Sequence, residues 1–169
     1  MCRTTLSVDW KGYLYDPHIN GSNEINLGIC KARELLQKIL DLGVPCSMEH
    51  LDSITPQYFG DLLSWAAIGA RTTESQIHRE IASGISTPLG FKNGTGGGVE
   101  LAVNAVKAAS MPHSFMGCND KGEICSIKTS GNPYCHIILR GGSDGPNYDK
   151  KNIDAAKELL AANQSINQS

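Results

Sequence analysis

The chain is predicted to be an α/β protein with parallel strands, on three observations. Short apolar runs alternate with helical patterns along its length. The runs are apolar at consecutive positions, as strands covered on both faces are. With 169 residues, 40% of them hydrophobic, the chain has the length and the apolar content of one domain with a core. The 18 glycines follow no three-residue period, which excludes a collagen-like chain.

The first element is a helix, from Ile25, Ile29, Ala32, Leu35, Leu36, Ile39 and Leu40 at helical spacing, with Gly43 as its stop signal. Val44–Glu49 is the first strand. Thr55-Pro56, an N-cap followed by proline, opens a helix through Leu62 and Leu63. Ala66–Ala70 is the second strand. Thr73-x-x-Gln76 fits a capping box, and the helix it opens turns Ile77 and Ile81 inward as far as Gly84. Pro88–Lys92 is the third strand. A glycine-rich turn, Asn93–Gly98, leads into a helix carrying Val99, Val103 and Val106. Residues 114–128 then break the rhythm as a β-hairpin inserted into the series. Cys135–Arg140 is the fourth parallel strand, and a last helix holds Ile153, Ala156, Leu159 and Leu160. Residues 1–160 are expected to form one domain and 161–169 a frayed polar tail.

Composition narrows the functional classes. Fifteen Lys and Arg against 17 Asp and Glu give a net charge of −2, spread along the chain, so a large basic nucleic-acid surface is not expected. No run of eighteen apolar residues occurs, so no membrane partner is expected. No charged segment followed by an apolar one opens the sequence, which points to the cytoplasm. The cysteines Cys2, Cys30, Cys46, Cys118, Cys125 and Cys135 form no C-x-x-C pair and no zinc-finger spacing. They read as reduced, mostly buried thiols.

In parallel α/β folds, ligands bind at the carboxyl ends of the strands. Glu49, Arg71, Lys92 and Arg140 stand at those ends here. Three of the four are cations, which folding alone does not require. Together they would suit a phosphate or carboxylate, Arg as a bidentate fork and Lys as a point charge. Glu49 would balance the charge or orient a neighbour. The alternative for each cation is a solvated loop residue, or a pair with a local acid such as Glu74 or Asp144.

The glycine-rich turn fails both nucleotide motifs. Lys92 precedes the glycines instead of following them, and Val99 stands where the dinucleotide fingerprint needs its third glycine. It reads equally as a turn presenting backbone N–H groups to an anion or as a flexible turn. Among the histidines, His78 reads as a surface or packing residue and His136 as a satisfied core residue. No H-x-x-x-H, H-E-x-x-H or G-x-S-x-G pattern occurs. The residues by themselves thus lead to an α/β protein that binds a phosphorylated or carboxylated small molecule.

Several segments carry a more specific likeness. Gly69-Ala70-Arg71-Thr72-Thr73-Glu74-Ser75-Gln76, Gly90-Phe91-Lys92-Asn93-Gly94-Thr95 and His136-Ile137-Ile138-Leu139-Arg140-Gly141-Gly142 resemble class I 3-deoxy-D-arabino-heptulosonate 7-phosphate (DAHP) synthases. Trp10-Lys11-Gly12 and Ile54-Thr55-Pro56-Gln57-Tyr58 fit as well. The form is similar to the short, feedback-regulated microbial type, and the likeness runs from Arg3 to about Leu160.

The resemblance implies a (β/α)₈ barrel enzyme that condenses phosphoenolpyruvate (PEP) with erythrose 4-phosphate, the first step of the shikimate pathway to aromatic amino acids. It implies Arg71, Lys92, Arg140, Glu49, Gly69 and Ala70 as PEP-binding residues, and Arg3 and Thr4 as ligands of the erythrose 4-phosphate phosphate. A divalent metal (Mn, Fe, Co or Zn) would polarise the aldehyde. An aromatic effector, tyrosine or phenylalanine, would bind near Gln57, Phe115 and Gly117, with Gly117 leaving room for a phenolic hydroxyl. The complete form would be a homo-oligomer.

The sequence also departs from that pattern. Met1-Cys2 stands where the family has Lys-Pro, and Gly96-Gly97 where Asp-Gly is usual. The length falls short of the roughly 250 residues of a complete barrel. The chain is therefore expected to be the middle half of such a synthase, a partial barrel of about strands 3 to 6, with the family's four metal ligands outside it and no catalytic residue assignable. The competing reading is an inactive remnant that at most binds a phosphorylated ligand or pairs with another chain.

Overall fold

The computed structural model describes residues 22–119 and 123–165. The chain divides into two compact units, Met1–Val44 and Pro45–Ser169.

The first unit contains helix α1, Ser22–Asp41. It ends as its pattern predicts: Gly43 takes a φ of +77°, open to glycine without strain, and its N–H donates to Leu40 O.

The second unit is a four-stranded, wholly parallel sheet with helices between its strands. The strands are β1 (Ser47–Glu49), β2 (Trp65–Ile68), β3 (Leu89–Lys92) and, after a separate antiparallel pair, β6 (Cys135–Ile138), in the spatial order β1-β2-β3-β6. The helices are α2 (Pro56–Phe59), α3 (Gln76–Ala82), α4 (Glu100–Ala109) and α5 (Lys150–Ser165). β4 (Ser114–Cys118) and β5 (Ile124–Lys128) form the antiparallel pair, Phe115 opposite Ile127 and Gly117 opposite Cys125.

Side chains alternate across a strand, and the register carries that alternation across the sheet. One face presents Ala66 and Ile68 from β2, Leu89 and Phe91 from β3, and Cys135 and Ile137 from β6. These pack with Ala82 of α3 and Ala102, Ala105 and Ala109 of α4 into the core. Alanine on the helices lets them lie close to the large sheet residues, and Phe91, Ile68 and Leu89 are fully buried. The opposite face carries Glu49, Trp65, Ala67, Gly90, Lys92, His136 and Ile138. There Trp65 Nε1 donates to His136 Nε2 at 3.0 Å, and His136 Nδ1 lies 3.1 Å from Tyr134 O. Both ring nitrogens of His136 are satisfied, as expected, but the residue is half-buried and lies outside the core. Gly90 permits this packing, because a β-carbon there would stand 2.6 Å from Ile138 Cδ1 and 3.0 Å from His136 Nε2.

Several boundaries differ from the sequence expectation. β1 starts at Ser47, not Val44, and Pro45 in the excluded stretch has no N–H for the ladder. Thr55 has helical backbone angles and makes no side-chain cap. Asp52 instead accepts from Ile54 N (2.7 Å), Thr55 N (2.8 Å) and Thr55 Oγ1 (2.6 Å). Helix α2 stops at Phe59 and tightens into a 3₁₀ turn over Gly60–Leu62. The N-cap of α3 is Ser75, not Thr73, because the Thr73 hydroxyl is engaged elsewhere. Ile81 is buried, but Ile77 is 56% exposed. Helix α5 continues to Ser165, five residues past Leu160, where the domain was expected to end. Of the five described cysteines only Cys46 is buried, and Cys30 is exposed. Partial burial pushes the Cys135 thiol up to about 12, so it stays protonated near neutral pH. No described helix is long and apolar enough to cross a membrane.

Candidate functional site

The parallel register brings the strand ends together. Glu49 is paired alongside Ala67, and Ala67 alongside Gly90, so Glu49 and Lys92 point from the same face of the sheet. Arg140 follows Ile138, the register partner of Lys92, by two residues. Arg71 reaches the same place from the turn after β2. The result is a cavity of about 420 Å³ lined by Glu49, Leu51, Gly69, Ala70, Arg71, Thr72, Lys92, Thr95 and Arg140. All six residues expected from the sequence to bind one anionic ligand line this one space. Leu51, Thr72 and Thr95 were not singled out, since an isolated threonine or leucine in a loop carries no chemical signature.

Lys92 Nζ forms an ion pair with Glu49 Oε2. Arg71 and Arg140 are exposed and make no ion pair among the described residues, neither with Glu74 nor with Asp144. The cavity therefore holds two uncompensated guanidinium groups and one ammonium balanced by a carboxylate. Gly69 is needed for that balance, because a β-carbon there would stand 2.6 Å from Glu49 Oε1.

The turn after β2 folds over a single carbonyl. Gly69 O accepts from Thr72 N (3.1 Å), Thr73 N (2.9 Å) and Thr72 Oγ1 (3.1 Å). The backbone N–H groups of Ala70 and Arg71 make no hydrogen bond among the described residues, which leaves donors for an anion. Thr73 Oγ1 donates across to Lys92 O at 2.8 Å and also lies 3.0 Å from Gly69 O. One buried hydroxyl thus links the end of β2 to the end of β3.

The glycine-rich turn is held partly by its own backbone. Gly97 N donates to Gly94 O (2.9 Å) and Gly94 N to Gly98 O (3.1 Å), so these two amides serve the turn itself. Gly97, at φ +99°, lies back to back with Gly142: a β-carbon on Gly97 would stand 3.3 Å from Gly142 Cα. The glycines let two strand-end loops touch backbone to backbone.

His50 follows Glu49 and is 1% exposed, with neither ring nitrogen hydrogen-bonded. Burial and the nearby His78 push its pKa down, against the pull of Asp52. Burial alone would raise the Asp52 carboxyl, but the hydrogen bonds from Thr55 and Ile54 bring it below the usual range.

The expected effector residues come from two elements. Gln57 is exposed on α2, whereas Phe115 and Gly117 lie on β4. A β-carbon on Gly117 would stand 2.7 Å from Ile127 Cγ1, so glycine is what lets the two strands of this pair pack here. A second cavity, of about 220 Å³, is lined by residues 83–86 and 130–134 and contains none of the three. Arg3 and Thr4 lie outside the described residues. Among the described residues no three His, Cys, Asp or Glu side chains converge as a metal ion would need. The divalent metal implied by the resemblance does not fit the described residues.

Known proteins resemble this chain over nearly its whole length. The sequence model described as "DAHP synthetase I family" matches residues 2–167. The Phe-sensitive phospho-2-dehydro-3-deoxyheptonate aldolase of Escherichia coli (strain K12) is 54% identical over 158 residues, 94% of this chain and 44% of that protein. The Tyr-sensitive protein of the same name from Salmonella typhimurium is 52% identical over 161 residues, 95% of this chain and 44% of that one. The solved phospho-2-dehydro-3-deoxyheptonate aldolase of Francisella tularensis superposes with a TM-score of 0.81 at 48% identity, over 96% of this chain and 47% of that chain. The chain spans less than half the length of these relatives. With its family matched over nearly its whole length, the chain belongs to the DAHP synthetase I family.

Proposed function

We propose that this chain forms the PEP-binding portion of a DAHP synthase, the enzyme that condenses PEP with erythrose 4-phosphate in the first step toward aromatic amino acids. The observation that carries the reading is the meeting of Arg71, Lys92 and Arg140, from three separate strand ends, around one cavity. PEP bears a phosphate and a carboxylate, and the two free guanidinium groups suit both bidentately. Lys92 supplies a third, fixed charge, oriented by Glu49. The free N–H groups at Ala70 and Arg71 complete the donor set. These residues bind and orient PEP, so that its methylene carbon is presented to the sugar aldehyde.

On this reading β1, β2, β3 and β6 are strands 3 to 6 of a (β/α)₈ barrel, and the β4–β5 pair is an insertion between barrel strands. Arg3 and Thr4 hold the phosphate of erythrose 4-phosphate. Gln57, Phe115 and Gly117 belong to an aromatic effector site, in line with relatives named for sensitivity to phenylalanine, tyrosine and tryptophan. The complete protein acts as a homo-oligomer in the cytoplasm.

Calorimetric titration of the purified chain with PEP tests the reading. Saturable binding that weakens in Arg71→Ala and in Arg140→Ala is expected. No binding, or binding unchanged when all three cations are replaced, overturns it.

A further inference from the structure

The cations sit on loops, and loops need something to fix them. Behind Lys92 and Arg140 lie two buried asparagines, Asn93 (0% exposed) and Asn147 (8% exposed), in direct contact. Asn93 Oδ1 accepts from the backbone N–H of Arg140 at 2.8 Å, and from Asn147 Nδ2 at 3.2 Å. Asn93 Nδ2 donates to Gly141 O at 3.0 Å and to Gly94 O at 2.9 Å. Asn147 Oδ1 accepts from Gly141 N at 2.8 Å, and its Nδ2 also reaches Gly97 O at 3.1 Å. The pair therefore fills its amide donor and acceptor positions with backbone groups from the loops after β3 and β6.

We infer that Asn93 and Asn147 are positioning residues that set the separation between Lys92 and Arg140, and hence the preference of the cavity for a ligand with two anionic groups. The inference rests on the proposed PEP site and extends it. Three features carry it. The hydrogen bonds end on Arg140 itself and on Gly141, the residue after it. Asn93 is adjacent to Lys92 in sequence, so no slack separates the network from that cation. The contact of Gly97 with Gly142 leaves the two loops no side chains to hold them apart, so their spacing is set by the asparagines. Neither residue touches the cavity, since neither lines it. They act through the two cations.

The test compares Asn147→Ala with Asn132→Ala. Asn132 is equally buried (1% exposed) and also bonds backbone at both ends of its amide, to Thr87 O and from Tyr134 N. It lies at the opposite ends of β3 and β6. Calorimetry measures the affinity of each variant for PEP and for inorganic phosphate. A single phosphate does not need the two cations at a set spacing, whereas PEP does. In Asn147→Ala the ratio of PEP to phosphate affinity is expected to fall about tenfold, with phosphate binding retained. In Asn132→Ala the ratio is expected to stay as in the unsubstituted chain. Hydrogen exchange should quicken at Gly141 N–H in Asn147→Ala only. Asn147→Ser, which leaves less empty space, carries the same expectation where the alanine variant does not fold. An unchanged ratio in a folded Asn147 variant overturns the inference while leaving the PEP site standing. Equal loss of PEP and phosphate also overturns it, because that marks a purely structural role. If the unsubstituted chain binds phosphate but not PEP, the proposed function fails and the inference fails with it.

Discussion

The two ends of the parallel sheet are built from the same four strands and carry opposite chemistry. At the carboxyl ends a cavity is lined by Arg71, Lys92, Arg140 and Glu49. At the amino ends the cavity lined by residues 83–86 and 130–134 contains serine, glycine, isoleucine, asparagine, proline and tyrosine, and no charged side chain. Both ends use a buried asparagine to join the loops beside β3 and β6, Asn93 with Asn147 at one end and Asn132 at the other. The difference lies in what those loops carry. One end converts rigidity into charge placement, and the other uses it to hold the chain together.

The largest expected effect separates the two ends directly. Replacing Arg140 or Arg71 with Ala removes one charge-assisted, potentially bidentate contact, worth about 1.5–3 kcal/mol. PEP affinity should then fall about 10- to 100-fold by calorimetry. Ser86→Ala at the amino ends should leave it within about twofold, since Ser86 lines the other cavity and not the charged one. A loss of PEP binding in Ser86→Ala equal to that of Arg140→Ala would break the distinction.

The charged end was the more legible of the two in the sequence, for a physical reason. Strands that are apolar throughout reveal themselves, and a cation directly after such a run has no folding role to explain it. Arg71, Lys92 and Arg140 stood out for that reason. Asn93 and Asn147 did not, because a single asparagine beside glycines reads as an ordinary turn residue, and its partner lies 54 residues away. Thr73 is a second case. Its spacing to Gln76 satisfies a local capping rule, but its hydroxyl is drawn to Lys92 O on the neighbouring strand, and Ser75 becomes the cap. Ile77 has helical spacing to Ile81, yet α3 is only seven residues long and buries a narrow stripe. Cross-strand hydrogen bonds and helix rotation are tertiary facts, and local patterns do not encode them.

A middle-sized effect probes the uncharged end alone. Asn132→Ala leaves Thr87 O and Tyr134 N without their partners. A buried polar group that loses its partner costs about 1–3 kcal/mol. Urea unfolding should show a loss in that range. PEP affinity per folded molecule should not change. A large drop in affinity would mean that the amino ends help to set the geometry of the cations, and the contrast between the ends would blur.

The smallest expected effect lies back at the charged end and concerns pH. His50 is buried beside Glu49 with both ring nitrogens unpartnered, and burial holds its folded-state pKa below the usual 6.5. The unfolded chain therefore binds a proton at a higher pH than the folded chain does. Where the unfolded state binds more protons, stability rises with pH. The titration of His50 thus costs nothing well above pH 6.5, and costs stability as the pH falls from 6.5 toward its lowered folded value. His50→Phe keeps an aromatic ring of similar size and removes both orphan nitrogens. It should stabilise the fold by about 1 kcal/mol at neutral pH, because the unmet hydrogen bonds disappear. It should also flatten the stability curve below pH 6.5. His136 provides the internal control, since both of its nitrogens are already satisfied. Replacing it with Phe should destabilise, because Trp65 Nε1 loses its acceptor. Urea unfolding of both variants at pH 5.5 and 7.5 reads the opposite signs. Destabilisation by His50→Phe would show instead that its ring nitrogens have partners in solution, such as bound water, and that this end of the sheet is better satisfied than its buried geometry indicates.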